Sequence, residues 1–320
     1  MNNLYIEKLP LVSIVVVTYN SAKYVLDVLE CIKEQTYANI ELIISDDASQ
    51  DETLDVCKNW IEHNRDRFKF FQLLCSSQNT GTAGNINRGI GVVHGDWIKL
   101  MAADDIIYPD YLTKVIHYIL DSQGLIKILY TNLSIFNDSP FHDTQIGIPS
   151  QGTYFTSNMI TAQEQNQVLL RFNPIFAVGL ILSRDIFRIV NNYDERFPLC
   201  EDWFFWFRVT RQNIKIYYYN INGVGYRKHI DSVQKKRKDV FLSRYELDKQ
   251  KGISEMFLQE YPFIERILVR WMLCVDMKLY IFFKNKRNRK ILFLKFLLCC
   301  IPNLFLKIIR YKYYKMISPL

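Results

Sequence analysis

The residues best placed to do chemistry together are Asp104 and Asp105, which close the run Trp97-Ile98-Lys99-Leu100-Met101-Ala102-Ala103-Asp104-Asp105. A strand-like segment breaks off there into two adjacent carboxylates. In an α/β protein, ligands bind at the carboxyl ends of strands. Two carboxylates at such an end repel one another unless a cation or hydrogen-bond donors satisfy them. A divalent metal with hard oxygen ligands, shared with a diphosphate, meets that need. A helix N-cap with a solvated neighbour would use the same pair.

Three other polar clusters follow stretches of apolar sequence. Thr18-Tyr19-Asn20 ends Leu11–Thr18 and offers side chains and free backbone N–H groups to a nucleotide, or an ordinary cap at Asn20. Asp46-Asp47 ends Ile40–Ser45, where a carboxylate can accept the N3–H of a uracil ring or a ribose hydroxyl, or close an Asx turn. Asn79–Gly89 is rich in small residues that permit close approach of backbone to phosphate, and Arg88 faces either a diphosphate or solvent. Glu201-Asp202 opens the aromatic segment Trp203-Phe204-Phe205-Trp206. A carboxylate in such water-poor surroundings gains basicity and suits a general base, while a helix N-terminus favours acids for its dipole alone.

The elements that carry these residues alternate. Leu11–Thr18 is β-branched and almost continuously apolar, as expected of a parallel strand buried on both faces. Helical spacing follows over Ala22–Gln35, a strand over Ile40–Ser45, a helix over Thr53–Asn64 and a strand over Phe68–Leu74. A further helix opens at Gly81, and Trp97–Met101 is the fourth strand. This pattern predicts an α/β, doubly wound, mostly parallel sheet with helices on both faces. Beyond it the reading gives a helix over Tyr111–Leu120, a strand over Ile126–Phe136, a loop over Asn137–Gly152, a strand region over Phe172–Ser183 and a helix over Glu201–Arg211.

The chain has 320 residues, enough for one large domain with an appendage. Its seven cysteines follow no metal-ligand spacing and read as buried thiols of a reducing compartment. No signal peptide is expected. The net charge of +7 is unevenly spread: Met277–Leu320 carries eleven Lys and Arg with no Asp or Glu, which leaves the remainder at −4. The apolar run Ile291–Ile301 is interrupted by Lys295 and is expected to end at Pro302, too short for the roughly 20 residues of a bilayer span. A basic amphipathic region at 278–315 therefore reads as lying on an anionic membrane surface, or as a solvated bundle. No nucleic-acid motif accompanies the charges, so no nucleic-acid partner is expected.

Taken in order, Val12–Asn20, Gln35-Thr36-Tyr37, Glu41–Ser49, Asn79-Thr80-Gly81, Asn87-Arg88-Gly89, the Asp104-Asp105 turn and Glu201-Asp202 resemble the motifs of family 2 glycosyltransferases, including those of bacterial O-antigen and capsule assembly. The resemblance covers residues 10 to about 210. It implies a GT-A fold with a catalytic domain over 1–235, in which 10–105 bind the nucleotide-sugar and 106–235 the acceptor. Residues 236–320 form the basic, helical, membrane-associating appendage. It further implies inverting transfer of a hexose, UDP-glucose or UDP-galactose being the expected donor, to a lipid-diphosphate-linked saccharide, at the cytoplasmic face of the inner membrane. Thr18, Tyr19, Asn20, Asp46, Asp47, Asn87, Arg88 and Asp104 would meet the nucleotide-sugar. Asp105 and Asp104 would hold Mn²⁺ or Mg²⁺, and Asp202, with Glu201 competing, would be the base. Two departures stand out: Ala102 replaces the first acid of the family's metal turn, and Ile86 replaces an Arg that many members carry. A sugar nucleotidyltransferase would call for a Gly-rich loop and Lys after the first strand, which this chain lacks. A non-catalytic nucleotide-sugar or nucleic-acid binding protein is the remaining alternative.

Overall fold

A computed structural model describes residues 9–137, 144–145, 153–228 and 240–318. Most of the loop expected over Asn137–Gly152 and most of the boundary expected at 230–240 lie outside the described residues. In chain order the elements are β1 (Val12–Thr18), α1 (Val25–Lys33), β2 (Ile40–Asp46), α2 (Thr53–Asn64), β3 (Phe70–Cys75), α3 (Gly81–Ile90), β4 (Trp97–Ala102), β5 (Ile106–Ile107), α4 (Tyr111–Asp121), β6 (Ile128–Phe136), β7 (Thr144–Gln145), α5 (Ala162–Leu169), β8 (Leu180–Ser183), α6 (Asp185–Val190), α7 (Glu201–Arg211), β9 (Tyr217–Arg227), α8 (Arg244–Gly252), α9 (Phe263–Phe282) and α10 (Arg289–Ile317).

The strands form one sheet in the order β3-β2-β1-β4-β8-β6-β9-β5, with β7 beside β6. The first four are parallel, as the alternating sequence predicts, so Thr18, Asp46 and Ala102 end at one edge. The second half is mixed. Strand β8 runs antiparallel to both β4 and β6, while β6 and β9 are parallel. Helices cover both faces. Val12, Ile14 and Val16 pack with α1, α2 and α4, whereas Val15 and Ile43 face the opposite core with α3 and the aromatic α7. That alternation along β1 is the two-residue period of a strand buried on both sides.

After β4 the chain turns through Ala103-Asp104-Asp105, and β5 pairs antiparallel with β9, Ile106 facing Gly225. A Cβ at Gly225 would come within 2.7 Å of Ile106 and 2.8 Å of Phe136, so only glycine lets β9 close on the turn.

Three expectations change. The strand region over Phe172–Ser183 is reduced to β8, because Pro174 has no N–H for a ladder and Ala177–Gly179 form a 3₁₀ turn. The chain after residue 240 does not separate cleanly from the catalytic unit: α8 and a π-helical turn at Ile253–Phe257 pack on α7, with Phe257 fully buried against Trp203, Phe204 and Phe207. Finally, Pro302 does not end a helix, and α10 runs through it for 29 residues. A proline removes the hydrogen bond to the carbonyl four residues back, here that of Leu298. The indole Nε1–H of Trp271 in α9 donates to that carbonyl at 3.0 Å. Along α9 from Glu265 through Trp271 to Asp276, the partners on α10 fall from Arg310 through Leu298 to Lys295, so the two helices form an antiparallel hairpin.

Candidate active site

The first cluster forms where β1 and β2 end. Asp46 accepts from the Thr18 hydroxyl at 2.6 Å and from the Ser49 N–H and hydroxyl at 2.9 and 2.5 Å. Those bonds fold the chain back over Ala48, whose φ of 66° lies in the left-handed region. For a non-glycine residue this costs about 1–2 kcal/mol and persists where the surroundings over-determine it. Asn20, with φ of 49°, joins the same turn: its N–H donates to Ser49 Oγ and its carbonyl Oδ1 accepts from Gln50 N–H, both at 2.8 Å. Tyr19 leaves about half of its surface open beside it.

Asp47 is buried and already committed. It accepts from Thr80 N–H, Gly81 N–H and the Thr80 hydroxyl at 2.9, 2.8 and 2.6 Å, and pairs with Arg88 at 3.1 Å. Four acceptor sites are about what an ionised carboxylate offers. The Arg88 guanidinium also donates to the Asp46 carbonyl, Asn85 Oδ1 and Thr80 Oγ1. Asp47 thus pairs with Arg88, and the pair fixes the start of α3 against the end of β2. Asn87 is likewise turned to structure. Its amide donates to the Tyr193 carbonyl and Glu195, and its Oδ1 accepts from Tyr193 N–H, which clamps α3 to the segment leading into α7. Gly81, at φ 78°, meets Pro198 of that segment at 3.1 Å from a would-be Cβ.

The second cluster is the Asp104-Asp105 turn. Asp105 is almost fully buried, and one of its oxygens accepts from Arg227 N–H at 3.1 Å. The Arg227 side chain, itself buried, donates to the Asp104 carbonyl at 2.8 Å and reaches Asp27 at 2.7 Å. Burial first, and then the Asp104 carboxylate, push the Asp105 carboxyl well above the usual range, against the pull of Arg227 and Lys99. Lys99 lies under the turn, fully buried, its ammonium on the carbonyls of Val178 and Leu180, and burial brings it down to about 7. Asp104 is half-buried at the mouth. Two adjacent hard-oxygen ligands fit a Mg²⁺-type ion, which takes one or two protein carboxylates and completes its shell from phosphate and water. No group of three or more possible metal ligands occurs among the described residues, so a donor diphosphate would have to supply the rest.

The third cluster is the start of α7. The helix is buried nearly all round, from Trp203 through Phe207, and Trp203 Nε1–H donates to the Leu169 carbonyl at 2.6 Å. Asp202 accepts from Trp203 N–H at 2.6 Å and from Asn173 Nδ2 at 3.2 Å. Burial raises both acids of the pair, Glu201 well above its ordinary range with Asp202 and Asp248 adding to the rise. From α8, Asp248 accepts the N–H of Leu199, and Tyr245 carries a hydroxyl raised by burial and by the same carboxylates.

The clusters are linked. Asn173 touches Asp202, while three residues on Phe176 packs edge-on against Tyr226 at 5.7 Å. The Tyr226 hydroxyl is raised by burial and then by Asp105 and Asp104, which puts its ring beside the turn. Three residues span at most about 11 Å, so one short segment bridges the base candidate and the metal turn. Sequence reasoning missed Asn173, Tyr226, Arg227, Tyr245 and Asp248. A usable signal existed only for β9, where Gly223 and Gly225 interrupt a tyrosine-rich strand.

Residues 13–178 match the family described as Glycosyl transferase family 2. An uncharacterized glycosyltransferase of Haemophilus influenzae is 28% identical over 208 residues, covering 64% of this chain and 62% of the relative. One from Rickettsia bellii is 25% identical over 235 residues, covering 71% and 31%. The match therefore spans less than two thirds of either relative. Among solved structures, S. aureus TarS 1–349 in complex with UDP-GlcNAc superposes with a TM-score of 0.59 at 16% identity, covering 83% of this chain and 72% of that one. That likeness identifies the fold as GT-A.

Proposed function

This chain belongs to glycosyl transferase family 2, and on that premise we propose that it is an inverting hexosyltransferase acting on a lipid-linked acceptor at a membrane surface. The observation that carries the reading is the assembly at one sheet edge of the β1 and β2 ends, the Asp104-Asp105 turn and, through the Asn87 clamp and the Asn173–Phe176 segment, the acidic start of α7. The nucleoside of a UDP-sugar lies against Tyr19 and the Thr18–Asn20 and Asp46–Ser49 turns. Asp104 and Asp105 are the residues that would hold Mg²⁺ or Mn²⁺. When bound, that ion stabilises the negative charge that builds on the leaving diphosphate.

Asp202 takes the proton of the attacking acceptor hydroxyl. Its raised pKa makes it a stronger base than a surface carboxylate, and proton transfer of this kind is worth roughly 10²–10⁴ in rate. The donors at Trp203 and Asn173 orient Asp202, and that support favours it over Glu201 as the base. Attack from the face opposite the diphosphate inverts the anomeric centre, so an α-linked donor yields a β-linkage. UDP-glucose or UDP-galactose is the proposed donor, and GlcNAc- or GalNAc-diphosphate-undecaprenol the proposed acceptor type, in surface-polysaccharide assembly. The eleven cations of 278–315 favour an anionic cytoplasmic leaflet, at about 1 kcal/mol for each one near the surface.

The test incubates the protein with a panel of nucleotide-sugars, Mn²⁺ and a synthetic lipid-diphosphate GlcNAc or GalNAc, and identifies the product by mass and NMR. Asp202→Asn is expected to abolish transfer with donor binding retained. Retention of more than about a tenth of turnover, against the expected 10²-fold or greater loss, overturns the base assignment.

A further inference from the structure

Nineteen of the twenty-six exposed large apolar side chains among the described residues lie between Phe263 and Tyr314, on the α9–α10 hairpin. They recur at helical spacing: Ile264, Ile267 and Trp271 along α9, and Phe293, Leu297 and Ile301 along α10, each more than half exposed. An apolar surface of this extent on a water-facing helix pair marks an interaction site. At the hairpin turn stand exposed Lys284, Lys286, Arg287, Arg289 and Lys290, and no acidic residue occurs from Met277 to the C-terminus. Apolar faces bounded by cations match a layer of acyl chains under anionic headgroups.

We propose that this hairpin is a wedge that lies in the plane of an anionic membrane, with its apolar face buried in one leaflet and without crossing it. The wedge begins at Phe263, so it includes α9, and apolar burial holds it in addition to charge. By length and composition alone α10 could cross a bilayer. Its far end is committed elsewhere. Arg310 pairs with Glu265, which is fully buried and also bound by Arg171 at 2.6 Å. Leu306 is buried in the catalytic core, and Tyr313, Met316 and Ile317 pack against it. A crossing would break these contacts and drag the five cations of the turn through hydrocarbon. The hairpin also meets the demand that no backbone group go unsatisfied at acyl depth, because Trp271 occupies the Leu298 carbonyl that Pro302 vacates.

This inference rests on the membrane contact proposed above, and its test separates the two. Full-length protein is mixed with vesicles of about three parts phosphatidylcholine to one of phosphatidylglycerol, and bound protein is measured by sedimentation at about 0.1 M and about 1 M salt, where the screening length falls from ~10 to ~3 Å. A wedge stays bound at high salt with a loss of less than about tenfold, whereas Phe293→Ser/Leu297→Ser/Ile301→Ser loses at least about 100-fold at both salts. These positions are exposed, so the variant keeps the wild-type circular dichroism and thermal midpoint. Binding that vanishes at high salt and ignores the triple substitution means adhesion by charge alone and overturns the wedge. No binding at either salt overturns the membrane contact as well. Depth is read from bromine-labelled lipids through the fluorescence that Trp271→Phe removes: strongest quenching near the ester carbonyls supports the in-plane wedge, and strongest quenching at the acyl ends overturns it.

Discussion

Asn173→Ala isolates the orientation of Asp202, the proposed base. Its amide is set by its own backbone turn, since Oδ1 accepts from Ile175 N–H at 3.3 Å and leaves Nδ2 to donate to Asp202 at 3.2 Å. A hydrogen bond to a charged group contributes about 1.5–3 kcal/mol. At the long end of the distance range the lower figure applies, and about 1.4 kcal/mol corresponds to one pKa unit. The bond stabilises the charged carboxylate, so removing it raises the Asp202 pKa. A base must be deprotonated to act; the acid limb of kcat therefore moves up by about one unit, and activity well below the limb falls about tenfold. Donor KM is expected to stay put, because the proposed nucleotide-sugar contacts lie on β1, β2 and the β4 turn. Asn173→Asp moves the limb further, since it sets a second carboxylate against the first. The assay is UDP release against pH, with the donor and acceptor identified by the transfer experiment. An acid limb that does not move in Asn173→Ala, or a change confined to donor KM, refutes the reasoning.

Four substitutions test three separate parts of the fold. The Glu201 carboxyl is raised in the folded state, so its charged form costs stability above that raised pKa, and the cost disappears as pH falls towards the unfolded value of about 4.3. Glu201→Gln should raise the thermal midpoint at pH ~8, with the gain fading near pH ~4, and a gain independent of pH contradicts the assignment. Glu265→Gln strands the buried guanidinium of Arg171, which is 1% exposed, and should destabilise by about 3–5 kcal/mol, softened by the Tyr313 ring 3.9 Å from that guanidinium. Hydrogen exchange should speed first at 306–317, and unchanged protection there would mean that the Glu265 pairs do not hold the end of α10. Trp271→Phe orphans the Leu298 carbonyl at a cost of about 1 kcal/mol, and Pro302→Ala supplies a replacement N–H. A double-mutant cycle should therefore show coupling of about that size, and strict additivity would mean that the indole bond carries nothing.

The parallel half of the sheet was legible because its signals are local. Strands β1, β2 and β4 are apolar runs ending in polar clusters, and the motif order places those ends together. What escaped depends on distant pairing. Arg227 meets Asp104 across 123 positions, and no local pattern marks a single arginine at the end of a tyrosine-rich strand. Asn173 meets Asp202 across 29. The segment around it is apolar enough to read as a strand, while its geometry is set by Pro174 and by an asparagine turned inward. Asp47, Asn87 and Arg88 were found as a group, yet spacing cannot say that Asp47 pairs with Arg88 while Asn87 turns to Tyr193 and Glu195. Pro302 misled for the opposite reason. Local propensity ends a helix there, and a tertiary hydrogen bond from α9 overrides it.

The Asp104-Asp105 turn bears on how a shortened metal motif would serve in the proposed reaction. Ala102, in the position where family members often carry a third acid, is exposed at the end of β4 and brings no charge. Behind the turn, the Arg227 backbone holds Asp105 and its guanidinium holds the Asp104 carbonyl, while Lys99 sits beneath. In the proposed site the two carboxylates would divide the work: Asp105, nearly inaccessible and braced by β9, would fix the turn, and the less buried Asp104 would meet an arriving ion. A third acid would add repulsion to a site already straining against two. On the proposed reading, two protein ligands leave most of the cation's shell to the diphosphate that accompanies it, so metal and donor are expected to bind as one unit.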